Sequence, residues 1–348
     1  MYSLFNHPNL YFLSFLLFSQ LSYSNESSNG LYEPPQSLST HKLSYPKKEL
    51  SLGREGSVIV SYVVNTDGSV TDAVIVDSEG GVGFEKHALK YIRKAKFIPA
   101  KLNGVSIKSS NQKHKLTWAL NSGRRGVSKK FLAKYRTLQI QLSNNQLEEY
   151  AKTISGFEEK LVKNTEERAW FSLLQANYYR LVGDKDSYLT YLNRTLSYES
   201  PQIPKKMHSS AIASLYSEQV KQRKYVEAFE TAERISSKYN KHPMLDEILK
   251  HKAKVVASLE KTQVITTSGK ISTSERPWHH SLYRRHIGVE VTEGKLNKMD
   301  IRCDRKATTI EITSQAQSWK IPKSWGHCVV QLWGDRDSRF RLLEQIEL

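Results

Sequence analysis

The period of the apolar positions changes along the chain, and each change marks an element. Ser57-Val58-Ile59-Val60-Ser61-Tyr62-Val63-Val64 is rich in β-branched and aromatic residues, the composition of a strand. Asn65-Thr66-Asp67-Gly68 follows with an Asp-Gly turn signal, and residues 69–76 resume the strand pattern, which predicts a hairpin. Gly80, Gly81 and Gly83 read as a loop. Phe84, His87, Ala88, Tyr91, Ile92 and Ala95 recur every three or four positions and predict one face of a helix. Pro99 cannot continue that helix and pushes Ile98 to extended geometry. A turn at 101–104 leads to 113–120, where Lys113, Lys115 and Thr117 alternate with His114, Leu116 and Trp118, a third strand. Residues 45–120 therefore read β-β-α-β.

Residues 126–262 lose the alternation and take helical spacing. Trp170, Leu173, Leu174, Ala176, Asn177 and Tyr179 precede Gly183-Asp184, and Tyr188, Leu189, Leu192 and Leu196 run on to Pro201. Ala211, Leu215, Tyr216, Tyr225, Ala228, Phe229 and Ala232 form a second unit. Setting Gly183 against Arg223 gives an offset that fits repeated helix pairs with a loop insertion. Residues 263–348 return to strands, expected at 286–292, 297–303, 307–313, 328–333 and 339–346 and punctuated by Gly288, Gly294, Gly326 and Gly334. The fold class expected is α+β and multidomain, closing with a small antiparallel β-domain.

At the other end, Tyr11 to Leu21 is an apolar run without charge, followed by the small-x-small triplet Ser22-Tyr23-Ser24. That is the pattern of a secretory signal peptide over 1–24, and the run is short of the ~20 residues a membrane span needs. Ser, Asn, Pro and Gly dominate 25–44, which reads as a linker. In an oxidising compartment Cys303 and Cys328 are expected to pair, a bridge worth roughly 3 kcal/mol in the chain-entropy model. Two cysteines supply neither a disulfide scaffold nor a four-thiolate zinc site.

Composition narrows the classes. Hydrophobic residues at 39% and charged residues at 25% exclude a collagen, a wholly disordered chain and a polytopic membrane protein. The net charge of +17 draws anions: nucleic acid, anionic lipid or lipopolysaccharide, or acidic proteins. His279, His280 and His286 lie close together, yet no carboxylate or thiol spacing completes a metal site, and they read as loop histidines. No nucleophile, zinc-protease, P-loop or dinucleotide motif appears. No metal, cofactor or enzymatic activity is expected.

One stretch is specific as an ordered set. Tyr45-Pro46, Gly53, Glu55-Gly56-Ser57-Val58, Asn65-Thr66-Asp67-Gly68-Ser69-Val70, Phe84, Ala88-Leu89, Arg93 and Phe97-Ile98-Pro99-Ala100 follow one another. This order resembles the C-terminal domain of TonB, the periplasmic energy transducer of Gram-negative bacteria, and makes Tyr45, Pro46, Gly56, Asp67, Gly68, Phe97 and Pro99 its fold motif. Residues 126–262 resemble tetratricopeptide repeats. The TonB resemblance implies recognition of an extended peptide by addition to a sheet edge, in which main-chain hydrogen bonds supply the affinity. Carried over, the edge is Lys113, His114, Lys115, Leu116 and Thr117, with Lys42 and Leu43 of the preceding segment. Lys113 and Lys115 there favour an acidic partner strand, and equally serve to blunt an exposed edge against aggregation.

The expectation is a periplasmic binding protein whose partner is an outer-membrane transporter or another envelope protein, with a homodimer through sheet edges as a further possibility. No small-molecule substrate is expected, nor nucleic acid as the principal partner. Two alternatives stand beside it. One is an energy transducer held in the inner membrane by an uncleaved 10–23 segment. The other is a basic lipopolysaccharide- or nucleic-acid-binding protein.

Overall fold

A computed structural model describes residues 31–38, 42–120, 126–197 and 203–346. The expected signal segment 1–24 lies outside the described residues. Part of the expected linker is described, and it is sheet. Strand β1 (Tyr32–Glu33) pairs with a later strand at Leu102 and Lys101, and β2 (Gln36–Ser37) pairs at Ile98 and Phe97. These pairings leave 31–38 folded on the domain rather than as a free tether.

The first module holds α1 (Lys47–Ser51), β3 (Gly56–Val64), β4 (Val70–Glu79), α2 (Val82–Lys94), β5 (Phe97–Ile98), β6 (Ala100–Leu102), β7 (Val105–Ile107) and β8 (Ser109–Trp118). Strands β4, β3 and β8 form one antiparallel sheet in that order. Val58, Val60, Tyr62 and Val64 of β3 with Leu116 and Trp118 of β8 bury one face against Phe84, Ala88 and Ile92 of α2. The turn works because Gly68 has φ +76° and Asp67 accepts the Ser69 N–H at 2.9 Å. A Cβ at Gly68 would overlap the Phe97 carbonyl oxygen, so the hairpin and the chain after α2 need glycine there. Strand β8 begins four positions before the expected 113, because Ser109 and Ser110 are buried by contacts outside the sheet.

The helical region holds α3 (Lys129–Ser143), α4 (Leu147–Ile154), α5 (Phe157–Leu161), α6 (Thr165–Val182), α7 (Lys185–Leu196), α8 (Lys205–Lys221), α9 (Tyr225–Lys238) and α10 (Leu245–Lys261). Three hairpins turn on one left-handed residue each, Asn145, Gly183 and Arg223. At all three, the next N–H reaches back five residues: Gln146 to Gln141, Asp184 to Tyr179 and Lys224 to Gln219, at 2.8–3.0 Å.

The last module holds β9 (Val264–Lys270), β10 (Trp278–Ser281), β11 (His286–Glu293), β12 (Leu296–Cys303), β13 (Ala307–Glu311), β14 (Ala316–Lys320), β15 (Cys328–Gly334) and β16 (Arg339–Gln345). They make two four-stranded sheets, β10-β15-β12-β13 and β14-β11-β16-β9, packed on Met299, Ile301, Val330, Leu332, Ile287, Val289, Phe340 and Leu342. Cys303 and Cys328 face each other on β12 and β15 and are bonded, Cα–Cα 4.0 Å. Strands β9, β10 and β14 go beyond the sequence pattern, β10 and β14 because they are short. His279 and His280 are therefore strand residues of β10, paired with Gln331 and Val330, and His286 opens β11, so none of the three is a loop residue.

Candidate functional site: the outer edge of strand β8

Strand β8 pairs with β3 from Gly56↔Trp118 to Val64↔Ser109, and among the described residues it ends its sheet. Alternation sends its side chains two ways. Leu116 is buried under α2, whereas Lys113, His114 and Thr117 are exposed and Lys115 is half-buried. The two lysines lie on the face away from α2. Lys115 Nζ donates to the Ser197 carbonyl at the end of α7, at 2.9 Å. Burial lowers its pKa, and the carboxylates of Glu79 and Asp77 oppose that shift. Lys115 is thus committed to the chain's own helical region, leaving Lys113, His114 and Thr117 as the exposed polar side chains of the edge.

The charge of Lys113 is felt on β10 and on α9. Burial pushes His279 on β10 down to about 4, and the charges of Lys113 and Lys224 push the same way. On α9, burial and then Glu227 raise Glu230, against Lys113. The N-terminal end of β8 is closed. Ser110 Oγ lies 2.7 Å and 2.8 Å from the carbonyl oxygens of Cys303 and Lys306, and it accepts the Cys303 N–H at 3.1 Å. Residues 112–117 lie beyond these contacts of Ser110.

The segment before Tyr45 reaches the other end of β8. Trp118 Nε1 donates to the Ser44 carbonyl at 2.9 Å, and Leu43 packs on the β3–β8–α2 core while Lys42 is exposed. Tyr45 donates to the Arg54 carbonyl at 2.5 Å and meets Phe84 edge-on, and burial, then Glu55, pushes its hydroxyl up to about 12. Pro46 is the buried residue that opens α1. Gly56 lies against Phe84, where a Cβ would come within 2.6 Å of the ring. Phe97 stacks obliquely on Tyr62 at 5.6 Å, and Pro99 sits between β5 and β6. These motif residues build the domain rather than line the edge.

Sequence reasoning missed how the sheet's second face is covered. Arg194 on α7 forks onto Asp77 of β4 at 2.6–3.2 Å and also reaches the Ser78 carbonyl. Ser172 of α6 donates to Glu79 at 3.3 Å. Glu55 accepts the N–H of Leu120 at 2.8 Å and of Thr165 at 2.6 Å, while buried Arg168 donates to the Glu55 carbonyl at 3.1 Å. From the β-sandwich, Arg302 reaches Ser61 at 3.4 Å and the carbonyl of Asp72 at 3.1 Å, where β4 bulges with φ +50°. The only signal of these contacts in the sequence is buried-position polarity, Ser57 and Ser61 within an apolar strand.

Of the three histidines, His280 is buried. His280 Nε2 meets buried Glu344 at 3.0 Å, and Glu344 also accepts the N–H groups of Tyr283 and Arg284, both at 2.7 Å. Among the described residues no group of three His, Cys, Asp or Glu side chains could hold a metal, and no helix is long and apolar enough to cross a membrane.

Comparison with known proteins bears on residues 41–119, which match the family model described as the Gram-negative bacterial TonB protein C-terminal. A search of solved structures finds the solution NMR structure of the Pseudomonas aeruginosa TonB C-terminal domain, at 20% identity, over 29% of this chain and 94% of that one, with a TM-score of 0.21. No curated protein matches the chain. The family match and the ordered residue set from Tyr45 to Ala100 agree, and residues 41–119 are a TonB C-terminal domain, of the family that acts in energy transduction at the Gram-negative envelope.

Proposed function

We propose that this chain is a periplasmic binding protein of the TonB system that captures an extended segment of an outer-membrane transporter, or of another envelope protein, by adding it to β8. The observation that carries this reading is the position of β8 at the end of its sheet with 113, 114 and 117 exposed. A strand whose outward N–H and C=O groups lack a neighbour is a template for another chain. Main-chain bonds net ~0.5–1.5 kcal/mol each, so a six-residue strand gives affinity in the micromolar range. Side-chain selection falls on Lys113, His114 and Thr117, since Lys115 is held by Ser197. The chemistry is recognition, with no bond made or broken.

The test is titration of the full chain with a transporter-derived extended peptide and with copies N-methylated at one residue each. Strand addition predicts loss of binding at every second position and retention between, the period of an antiparallel ladder. Uniform tolerance, or binding that vanishes at moderate salt, contradicts it and favours an electrostatic contact.

A further inference from the structure

Helix α2 has two opposite stripes. Phe84, Ala88 and Ile92 are buried under the sheet, while Val82, Lys86, Lys90, Arg93 and Lys94 recur about one turn apart on the exposed side. Helix α1 lies over the start of that stripe: a Cβ on Gly83 would meet the Glu49 carboxylate at 3.0 Å. It adds exposed Lys47, Lys48 and Leu50, and Leu52 follows it. The carboxylates of both helices point elsewhere. Glu49 is buried and paired with Arg54 at 3.4 Å, and Glu85 pairs with Arg276 at 2.6 Å. Among the described residues, Lys47, Lys48, Lys86, Lys90, Arg93 and Lys94 form no ion pair. At the α1 end of this cationic stripe, Val82 is 62% exposed, Leu50 50% and Leu52 43%.

Exposed aliphatic side chains beside uncompensated cations match a lipid–water interface, where the former enter the acyl boundary and the latter meet headgroup phosphates. A nucleic acid would engage the cations and leave the aliphatic groups in water. We propose that the α1–α2 face of the TonB C-terminal domain is a docking surface for an anionic lipid leaflet. It lies across the sheet from Lys113 and Lys115, so a docked domain keeps the far side of its sheet toward the rest of the chain. Each cation near an anionic surface contributes about fivefold in affinity.

Flotation of the full chain with phosphatidylcholine vesicles, with and without phosphatidylglycerol, tests the proposal. Binding is expected only with phosphatidylglycerol. Changing Lys86→Glu, Lys90→Glu and Lys94→Glu together should weaken it by roughly a hundredfold or more. The paired change Leu50→Ser and Val82→Ser, which alters no charge, should weaken it several-fold. The same charge reversal on α3, at exposed Lys129, Lys130 and Lys134, should cost far less. A wild-type chain that ignores anionic vesicles overturns the proposal. So does equal loss on reversal at α3, or full binding by the Leu50/Val82 variant, which would mean attraction by net charge alone. Circular dichroism of each variant separates these outcomes from misfolding.

Discussion

The guanidinium of Arg194, near the end of α7, holds the carboxylate of Asp77 on β4 with Nη2–Oδ1 at 2.6 Å and both Nε contacts within 3.2 Å. The two residues lie 117 positions apart. The fork also donates to the Ser78 carbonyl at 3.1 Å, so backbone and side chain of β4 are bound to the helical region together. Geometry of this kind is specific to arginine, because a lysine offers a point charge rather than a fork.

Removing one partner should therefore cost more than removing both. Arg194→Ala is expected to lower stability by about 1–3 kcal/mol, because it leaves a partly buried carboxylate without its donors. Adding Asp77→Asn to that variant should recover part of the loss. Urea denaturation of the two single variants and the double one measures the coupling. Simple additivity would mean that the pair does not hold β4 to the helices.

The closed end of β8 gives a second expectation. Ser110 is fully buried, and its hydroxyl meets both Cys303 and Lys306. Ser110→Ala should cost about 1–3 kcal/mol, the penalty of leaving buried polar groups without a partner. Reducing Cys303–Cys328 should cost about 2–4 kcal/mol. Thermal melts with and without reductant check both values. An alanine variant as stable as the wild type would mean that the sandwich does not close this end of the strand.

The hairpin and helix of the first module were legible because their local chemistry and their packing agree. Asp67-Gly68 demands the turn, and the Phe84–Ala88–Ile92 stripe demands a partner sheet. The first half of β8 was not legible. Residues 109–112 are all polar, and Ser110 is buried only because a strand nearly two hundred positions later supplies its partners. The same holds for β10, where Trp278-His279-His280-Ser281 has no alternating apolar face and becomes a strand through β15. Of the edge itself, the family resemblance supplied the location. The sequence could not show that Lys115 turns to Ser197, which depends on how two modules pack.

Acid should lower stability through His279 of β10. Burial, with Lys113 and Lys224, holds His279 at about 4 in the folded chain against an ordinary 6.5. A base with a depressed folded pKa binds more protons when unfolded, so its contribution is intact above about 6.5 and declines as pH falls toward 4. The charge of Glu227 opposes that shift and the charge of His280 adds to it. Comparing urea midpoints of wild type and His279→Asn at several pH values isolates the histidine. The wild type should lose more stability between pH 6.5 and 4 than the variant. Parallel curves would show that His279 is neutralised no more in the fold than outside it.

The capture of an extended segment at β8 is tested most directly by backbone amide exchange across 112–117, in the full chain, with and without a saturating transporter-derived peptide. Strand addition predicts that alternate amides in this run, those directed away from β3, become protected, while 109–111 change little. Protection confined to the helical region, or none in 112–117 despite bound peptide, would contradict it.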